Sequence, residues 1–252
     1  MIELKQGNCL ELMKELKDKS IDMILCDLPY GVTAGQWDNI IPFKPLWEQY
    51  NRIITDNGAI ILFGTEPFSS KLRLSNLKMY KYDWIWKKTT ATGFQLANCK
   101  PLNNIENILV FSKGTTYPRS CNKMKYNPQG LIPFGKNVRH GVDNIRTKTG
   151  SNRKAEYVFQ KFTNYPRRIL EFEKDSEILH SAQKPVKLLE YLIKTYTNER
   201  ELVLDNCMGS GSTGVACINT NRNFIGFELD KKYFDIAENR IKEAQELENG
   251  TN

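Results

Sequence analysis

The chain has 252 residues and a hydrophobic content of 40%, enough for one sizeable domain with a packed core, which argues against wholesale disorder. Its apolar runs reach about five residues, far short of the roughly 20 that cross a bilayer, and Met1-Ile2-Glu3-Leu4-Lys5 lacks the basic and apolar regions of a secretory leader, so a cytoplasmic protein is expected. The net charge of +7 is concentrated: residues 113–168 hold 13 Lys and Arg against two acids, Asp143 and Glu156, or +11, and the rest of the chain carries −4.

Taken in order, the chain alternates between two periodicities. Residues 1–5 suggest a short strand and 10–16 a helix. Residues 21–26 form an apolar run between Ser20 and an Asp-Leu-Pro-Tyr turn, the signature of a buried strand. A helix is expected over 45–54, ended by Asp56-Asn57-Gly58, then a buried strand over 59–63 and a helix over 67–74. Strands are expected at 83–86 and 107–112. From Lys113 to about Asp175 the periodicity fades and Gly, Pro, Asn and Ser become common, as in a loop-rich insertion. Order returns with a helix over 185–196, a strand over 201–205, a helix over 211–219, a strand over 223–228 and a long helix over 231–247, whose Tyr233, Ile236, Ala237 and Ile241 form the apolar face. Such alternation implies a mainly parallel sheet with helices on both faces. There are no internal repeats. The six cysteines show no C-x-x-C spacing and only two histidines exist, so free thiols and no metal site are expected.

Two motifs carry chemistry. In the first, Asp205-Asn206-Cys207-Met208-Gly209-Ser210-Gly211-Ser212-Thr213-Gly214 joins a strand to a helix. Glycines let a backbone approach a ligand, and a helix N-terminus offers free N–H groups to an anion such as the carboxylate of a cofactor. Glu228 ends the next strand, within Phe227-Glu228-Leu229-Asp230, where an acid can accept both hydroxyls of a ribose. The spacing fits S-adenosyl-L-methionine (AdoMet), and it also satisfies the fingerprint of a dinucleotide-binding oxidoreductase. Only 38 residues follow Gly214, too few for two mononucleotide-binding halves. The sheet must therefore be completed by strands from the N-terminal half, in a permuted order.

The second motif, Asp27-Leu28-Pro29-Tyr30, follows the buried strand and so sits where open α/β sheets form their ligand crevice. An exocyclic amine on a nucleobase is a poor nucleophile because its lone pair is delocalised into the ring. Two acceptors, the Asp27 carboxylate and the Leu28 carbonyl, can bind its N–H groups, draw the nitrogen toward tetrahedral geometry and stabilise the cation that forms. Pro29 stiffens the turn, and Tyr30 offers a ring for stacking. The chain contains no Pro-Cys dipeptide, the usual setting of the thiol nucleophile in cytosine C5 methylation.

In this order, catalytic motif before cofactor motif, the residues resemble the β-class of DNA amino-methyltransferases, over most of the chain outside 113–175. Gly7-Asn8-Cys9-Leu10-Glu11 resembles the segment that helps hold the cofactor adenine, and His180-Ser181-Ala182-Gln183-Lys184-Pro185 resembles the family's His-Pro-x-x-Lys-Pro element. Asp205–Thr213 resembles Asp-Pro-Phe-x-Gly-Ser-Gly-Thr-Thr. The departures are Leu28 for Pro, Asn8 for Asp, Asn206-Cys207 for Pro-Phe and Ser181 for Pro. The resemblance implies a Rossmann-like AdoMet-dependent methyltransferase fold of the α/β class, with a mixed seven-stranded sheet flanked by helices. It implies a catalytic half at 1–112, an inserted target-recognition region at 113–175 and an AdoMet-binding half at 176–252. Asp27, Leu28, Pro29 and Tyr30 would be catalytic. Asn8, Cys9, Asp27, Lys184, Asp205, Cys207, Gly209, Ser210, Gly211, Ser212, Thr213, Glu228 and Leu229 would hold AdoMet. Double-stranded DNA would be the partner, with a homodimer left open.

A basic insertion interleaved with Tyr117, Tyr126, Phe134, Tyr157, Phe159 and Tyr165 suits a polyanion. Lys123, Lys125, Lys136, Arg139, Arg146, Lys148, Arg153 and Lys154 are the expected DNA contacts, with Arg167 and Arg168 beside them. In the family an Asp-led tetrad goes with adenine N6 and a Ser-led one with cytosine N4. The expected activity is therefore site-specific N6-adenine methylation of duplex DNA by base flipping, of the kind that serves restriction–modification systems. N4-cytosine methylation, amine methylation of RNA or protein, and a catalytically silent DNA-binding relative are the alternatives.

Overall fold

The computed structural model of the protein describes residues 1–31, 39–140, 156–175 and 183–250. Two compact units result: residues 1–127 with 168–252, and residues 128–167. In the larger unit the elements run β1 Ile2–Gln6, α1 Cys9–Lys14, β2 Ile21–Cys26, α2 Phe43–Ile53, β3 Ile54–Gly64, α3 Phe68–Ser75, β4 Tyr80–Thr92 and β5 Asn103–Ser112. The smaller unit contributes β6 Ile132–His140 and β7 Glu156–Thr163. The larger unit resumes with β8 Ile169–Glu171, α4 Val186–Tyr196, β9 Leu202–Asp205, α5 Ser212–Asn219, β10 Asn223–Glu228 and α6 Lys231–Gly250.

The large sheet has the order β1-β10-β9-β2-β3-β5-β4-β8, and β5 alone runs against the other strands. The last two strands of the chain are thus threaded between the first two. Because β2, β9 and β10 are parallel, Asp27, Asp205 and Glu228 all fall at one edge of the sheet.

Strand alternation fills both faces. In β2, Met23 and Leu25 point to one side with Ala59, Ile61 and Phe63 of β3, where Leu188, Leu192 and Tyr196 of α4 cover them. Ile21 and Ile24 point to the other, with Ile60 and Leu62, under Leu46 and Tyr50 of α2 and Leu72 of α3. Each fully buried side chain of this size contributes about 1.5–3 kcal/mol. On α6 the buried row is Ala237 and Ile241, flanked by Phe234 and Ala244, and Ile236 is only half-buried.

Several expectations change. The sheet has eight strands where seven were expected, because Ile169–Glu171 pairs with Ile85–Lys87. Asp56-Asn57-Gly58 lies inside β3, where the pairing with β2 slips. Residues 113–127, expected in the insertion, belong to the larger unit: Met124 is in its core, and the Asn127 N–H donates to the Thr195 carbonyl at 2.7 Å. Lys125, expected among the DNA contacts, has its partners within the larger unit. It pairs with Glu201 and lies 3.7 Å from Asp22, at the amino edge of the sheet, opposite the crevice. Exposed Lys123 sits on that same edge, bridged to Thr115. Arg168 is also structural, with its guanidinium bound to the Asp83 carboxylate and carbonyl. Charge composition cannot separate a lysine that pairs inward from one that faces solvent.

In the smaller unit β6 and β7 form a two-stranded antiparallel ribbon that sets Arg139 across from Tyr157 and Asn137 across from Phe159. Lys136, Arg139, Tyr157 and Phe159 are exposed. Arg146, Lys148, Arg153 and Lys154 lie outside the described residues.

Candidate active site

At the carboxyl edge of the sheet a cavity of about 640 Å³ is lined by residues of both motifs. Asn8, Cys9, Asp27, Leu28, Pro29, Tyr30 and Lys184 line it, as do Asp205, Cys207, Gly209, Ser210, Ser212, Thr213, Glu228 and Leu229. The topology causes this. Residues nearly 180 positions apart become neighbours because β9 and β10 lie between β1 and β2.

On the cofactor side, Gly209 adopts φ +52° and a Cβ there would meet nothing within 4 Å, so its backbone faces open space. Gly211 is different. At φ +81° its missing Cβ would sit 3.0 Å from the Ala237 Cα, so this glycine serves packing against α6 and does not line the cavity. The Gly209 N–H donates to Glu228 Oε2 at 2.9 Å and the Asp230 N–H to Oε1 at 2.9 Å, which fixes the carboxylate at the strand end. Burial pushes the Glu228 pKa up. Asp205 accepts from Thr213 Oγ1 at 2.6 Å and from the Cys207 N–H at 3.1 Å, and burial raises its pKa to about 7. Arg240 of α6 braces the loop, donating to the Ser210 carbonyl at 2.8 Å and Ser212 Oγ at 3.0 Å. Asn8 caps α1 by accepting the Leu10 N–H at 2.9 Å. The Cys9, Cys26 and Cys207 thiols adjoin one another. A hydrogen bond with Cys207 raises the Cys9 pKa and one with Cys26 raises that of Cys207, burial adding to both, and burial pushes Cys26 up to about 12.

On the catalytic side, Asp27 sits directly after β2. The Tyr30 hydroxyl is 2.5 Å from Asp27 Oδ1 and 2.8 Å from Glu106 Oε1. Phe68 stacks on the Tyr30 ring at 4.8 Å, covering one of its faces. Lys184 bonds Asp27 Oδ2 and lies 3.1 Å from Glu106 Oε1, while Lys88 lies 2.7 Å from Glu106 Oε2. Lys184, expected among the cofactor contacts, lines the cavity and places its ammonium on the two carboxylates. Burial raises the Asp27 pKa, and the Glu106 charge adds to that against the pull of Lys184. Burial would raise Glu106 too, but Lys184 and Lys88 prevail and hold it at about 2. Burial opposes the Lys184 charge, and Asp27 and Glu106 prevail to keep it an ammonium.

The sequence reading missed Glu106, Lys88 and Arg240, and it placed Tyr233, which lines the cavity, only on the apolar face of the last helix. Glu106 had a signal: it alternates in phase with Ile108 and Val110, which face the core. Because β5 is antiparallel, its first residues lie at the same edge as the carboxyl ends of its neighbours. His180, Ser181 and Ala182 lie outside the described residues.

Comparison with known proteins fits this geometry. The family model described as DNA methylase, N6_N4_Mtase, matches residues 21–239. The type II methyltransferase M.HpaI of Haemophilus parainfluenzae is 29% identical over 248 residues, covering 93% of this chain and 72% of that protein. The structure of M1.HpyAVI in complex with SAM superposes with a TM-score of 0.62 at 24% identity, covering 95% of this chain and all of that one. The PvuII DNA methyltransferase, cytosine-N4-specific, gives 0.66 at 15% identity, covering 97% and 91%. These structures share the fold. With its catalytic motif ahead of its glycine loop, the chain belongs to the β-class of the DNA amino-methyltransferase family.

Proposed function

We propose that the protein methylates the N6 amine of adenine at a specific site in duplex DNA, with AdoMet as donor. The observation that carries this reading is the sharing of one cavity by Asp27 and the Gly209 loop with Glu228. The cofactor side suits AdoMet: the open face of Gly209 leaves room for a ligand against the backbone, and the fixed Glu228 carboxylate keeps lone pairs for ribose hydroxyls. When bound, AdoMet supplies an electrophilic sulfonium methyl.

The protein's own groups then do the positioning. The Asp27 carboxylate and the Leu28 carbonyl accept the amine hydrogens, and Asp27 stabilises the positive charge on nitrogen as the bond to carbon forms. A base inside a duplex cannot reach this cavity, so the nucleotide is flipped out at a cost of a few kcal/mol, offset by stacking on the Tyr30 face away from Phe68 and by edge hydrogen bonds. DNA is held by the β6–β7 ribbon, whose exposed Lys136, Arg139, Tyr157 and Phe159 suit phosphates and base edges, since a two-stranded ribbon fits a major groove.

The test is mass spectrometry of nucleosides from unmethylated DNA incubated with protein and AdoMet. N6-methyladenine is expected. N4-methylcytosine would replace the base assignment and keep the mechanism. No methylated base, with AdoMet bound, would refute DNA as substrate.

A further inference from the structure

Both oxygens of Asp27 are engaged in this structure, Oδ1 by Tyr30 and Oδ2 by Lys184, and these two donors compete with the target amine for the carboxylate. Glu106 resolves the conflict. It is 3% exposed, comes from β5 rather than from either motif, and offers Oε1 to the same two donors at 2.8 and 3.1 Å. A tyrosine hydroxyl has one hydrogen and can serve only one carboxylate at a time. The Lys184 ammonium has three and can move between the two without losing its pairing. Lys88 on Oε2, 2.7 Å away, keeps Glu106 compensated throughout.

We propose that Glu106 is a positioning residue that takes over Tyr30 and Lys184 when the base enters, freeing the Asp27 carboxylate for the amine it must bind. This rests on the reading of Asp27 as the amine acceptor. With Asp27, Glu106, Lys184 and Lys88 charged, the cluster is neutral, so the exchange moves no net charge through a buried site. An Asp27 left with Lys184 alone would stay clamped.

The charged and titratable groups around Asp27 are Tyr30 from its own loop, Lys184 ahead of α4, Glu106 on β5 with Lys88 of β4 paired to it, and Asp205 and Cys26, both close enough to feel its charge. The Glu106 charge raises the Asp27 pKa, so its removal lowers that pKa. Glu106→Gln should therefore cut kcat by about 10- to 100-fold and move the acid limb of the pH–rate profile to lower pH, with AdoMet affinity retained. Glu106→Asp keeps the charge and should leave the limb near its wild-type position. Lys88→Met, at a more accessible residue, frees Glu106 to draw Lys184 from Asp27 and should move the limb the other way. These profiles are measured on folded, AdoMet-binding protein with duplex DNA. A wild-type kcat and limb in Glu106→Gln, or a fall in kcat with the limb unmoved, overturns the proposal. So does an unmoved or lowered limb in Lys88→Met should Glu106→Gln not fold. Full activity in Asp27→Asn would instead remove the reading of Asp27 beneath it.

Discussion

Asp205 is a carboxylic acid with little water around it, at the end of β9 and 4% exposed. Its hydrogen bonds from Thr213, Cys207 and Cys26 do not offset burial, and its pKa of about 7 lies above the unfolded value of 3.8. The folded state therefore binds the proton more tightly than the unfolded chain. Stability from this group is complete below about pH 4 and is lost as pH rises to about 7, on the order of a few kcal/mol. Asp205→Asn should flatten that part of the curve, and urea denaturation at pH 4.5, 6 and 7.5 checks it. An unchanged slope in the variant would rule out Asp205 as the source. The placing of Asp27, Asp205 and Glu228 at strand ends was readable from sequence, because each ends an apolar run. Glu106 was harder to read: its phase with Ile108 and Val110 was a signal, but a lone acid ahead of an apolar run resembles a surface charge until the strand's direction is known.

Among the elements, the strand–loop–helix from β9 to α5 shows how one glycine-rich motif divides its work. Gly211→Ala should cost about 2 kcal/mol or more, from left-handed strain at φ +81° plus the approach to Ala237, 3.0 Å from the added Cβ. Gly209→Ala carries only the strain, about 1 kcal/mol, because its Cβ would meet nothing, but the methyl would enter the cavity. Denaturation and AdoMet titration should separate the two: Gly211→Ala loses mainly stability, Gly209→Ala mainly cofactor affinity. Equal stability losses would contradict the division. The parallel strands were legible as apolar runs bounded by turns. The extent of β4, which reaches Thr92, and the existence of β8 were not. Their outer residues alternate weakly, and β8 is defined by a neighbour 84 positions away, Ile85 for Ile169.

Across the whole molecule, residues 113–168 carry +11; among the described ones Lys125 and Arg168 pair with carboxylates of the larger unit, while Lys136 and Arg139 are exposed on the ribbon. Changing Lys136 and Arg139 to Glu should weaken DNA binding and lower the slope of log K against log salt by about 0.9 for each phosphate no longer neutralised. A slope equal to wild type would remove those two residues from the interface. The permuted thread of the sheet matters more than charge, because it alone brings Asp27 beside the Gly209 loop and Glu228. The most direct test of that joint site is transfer of a labelled methyl group from AdoMet to unmethylated duplex DNA by wild type and Asp27→Ala side by side. Wild type should label the DNA; the variant should bind AdoMet and transfer at least about 10²-fold more slowly. Equal labelling by the variant, or AdoMet binding by wild type with no label in DNA, would contradict the account.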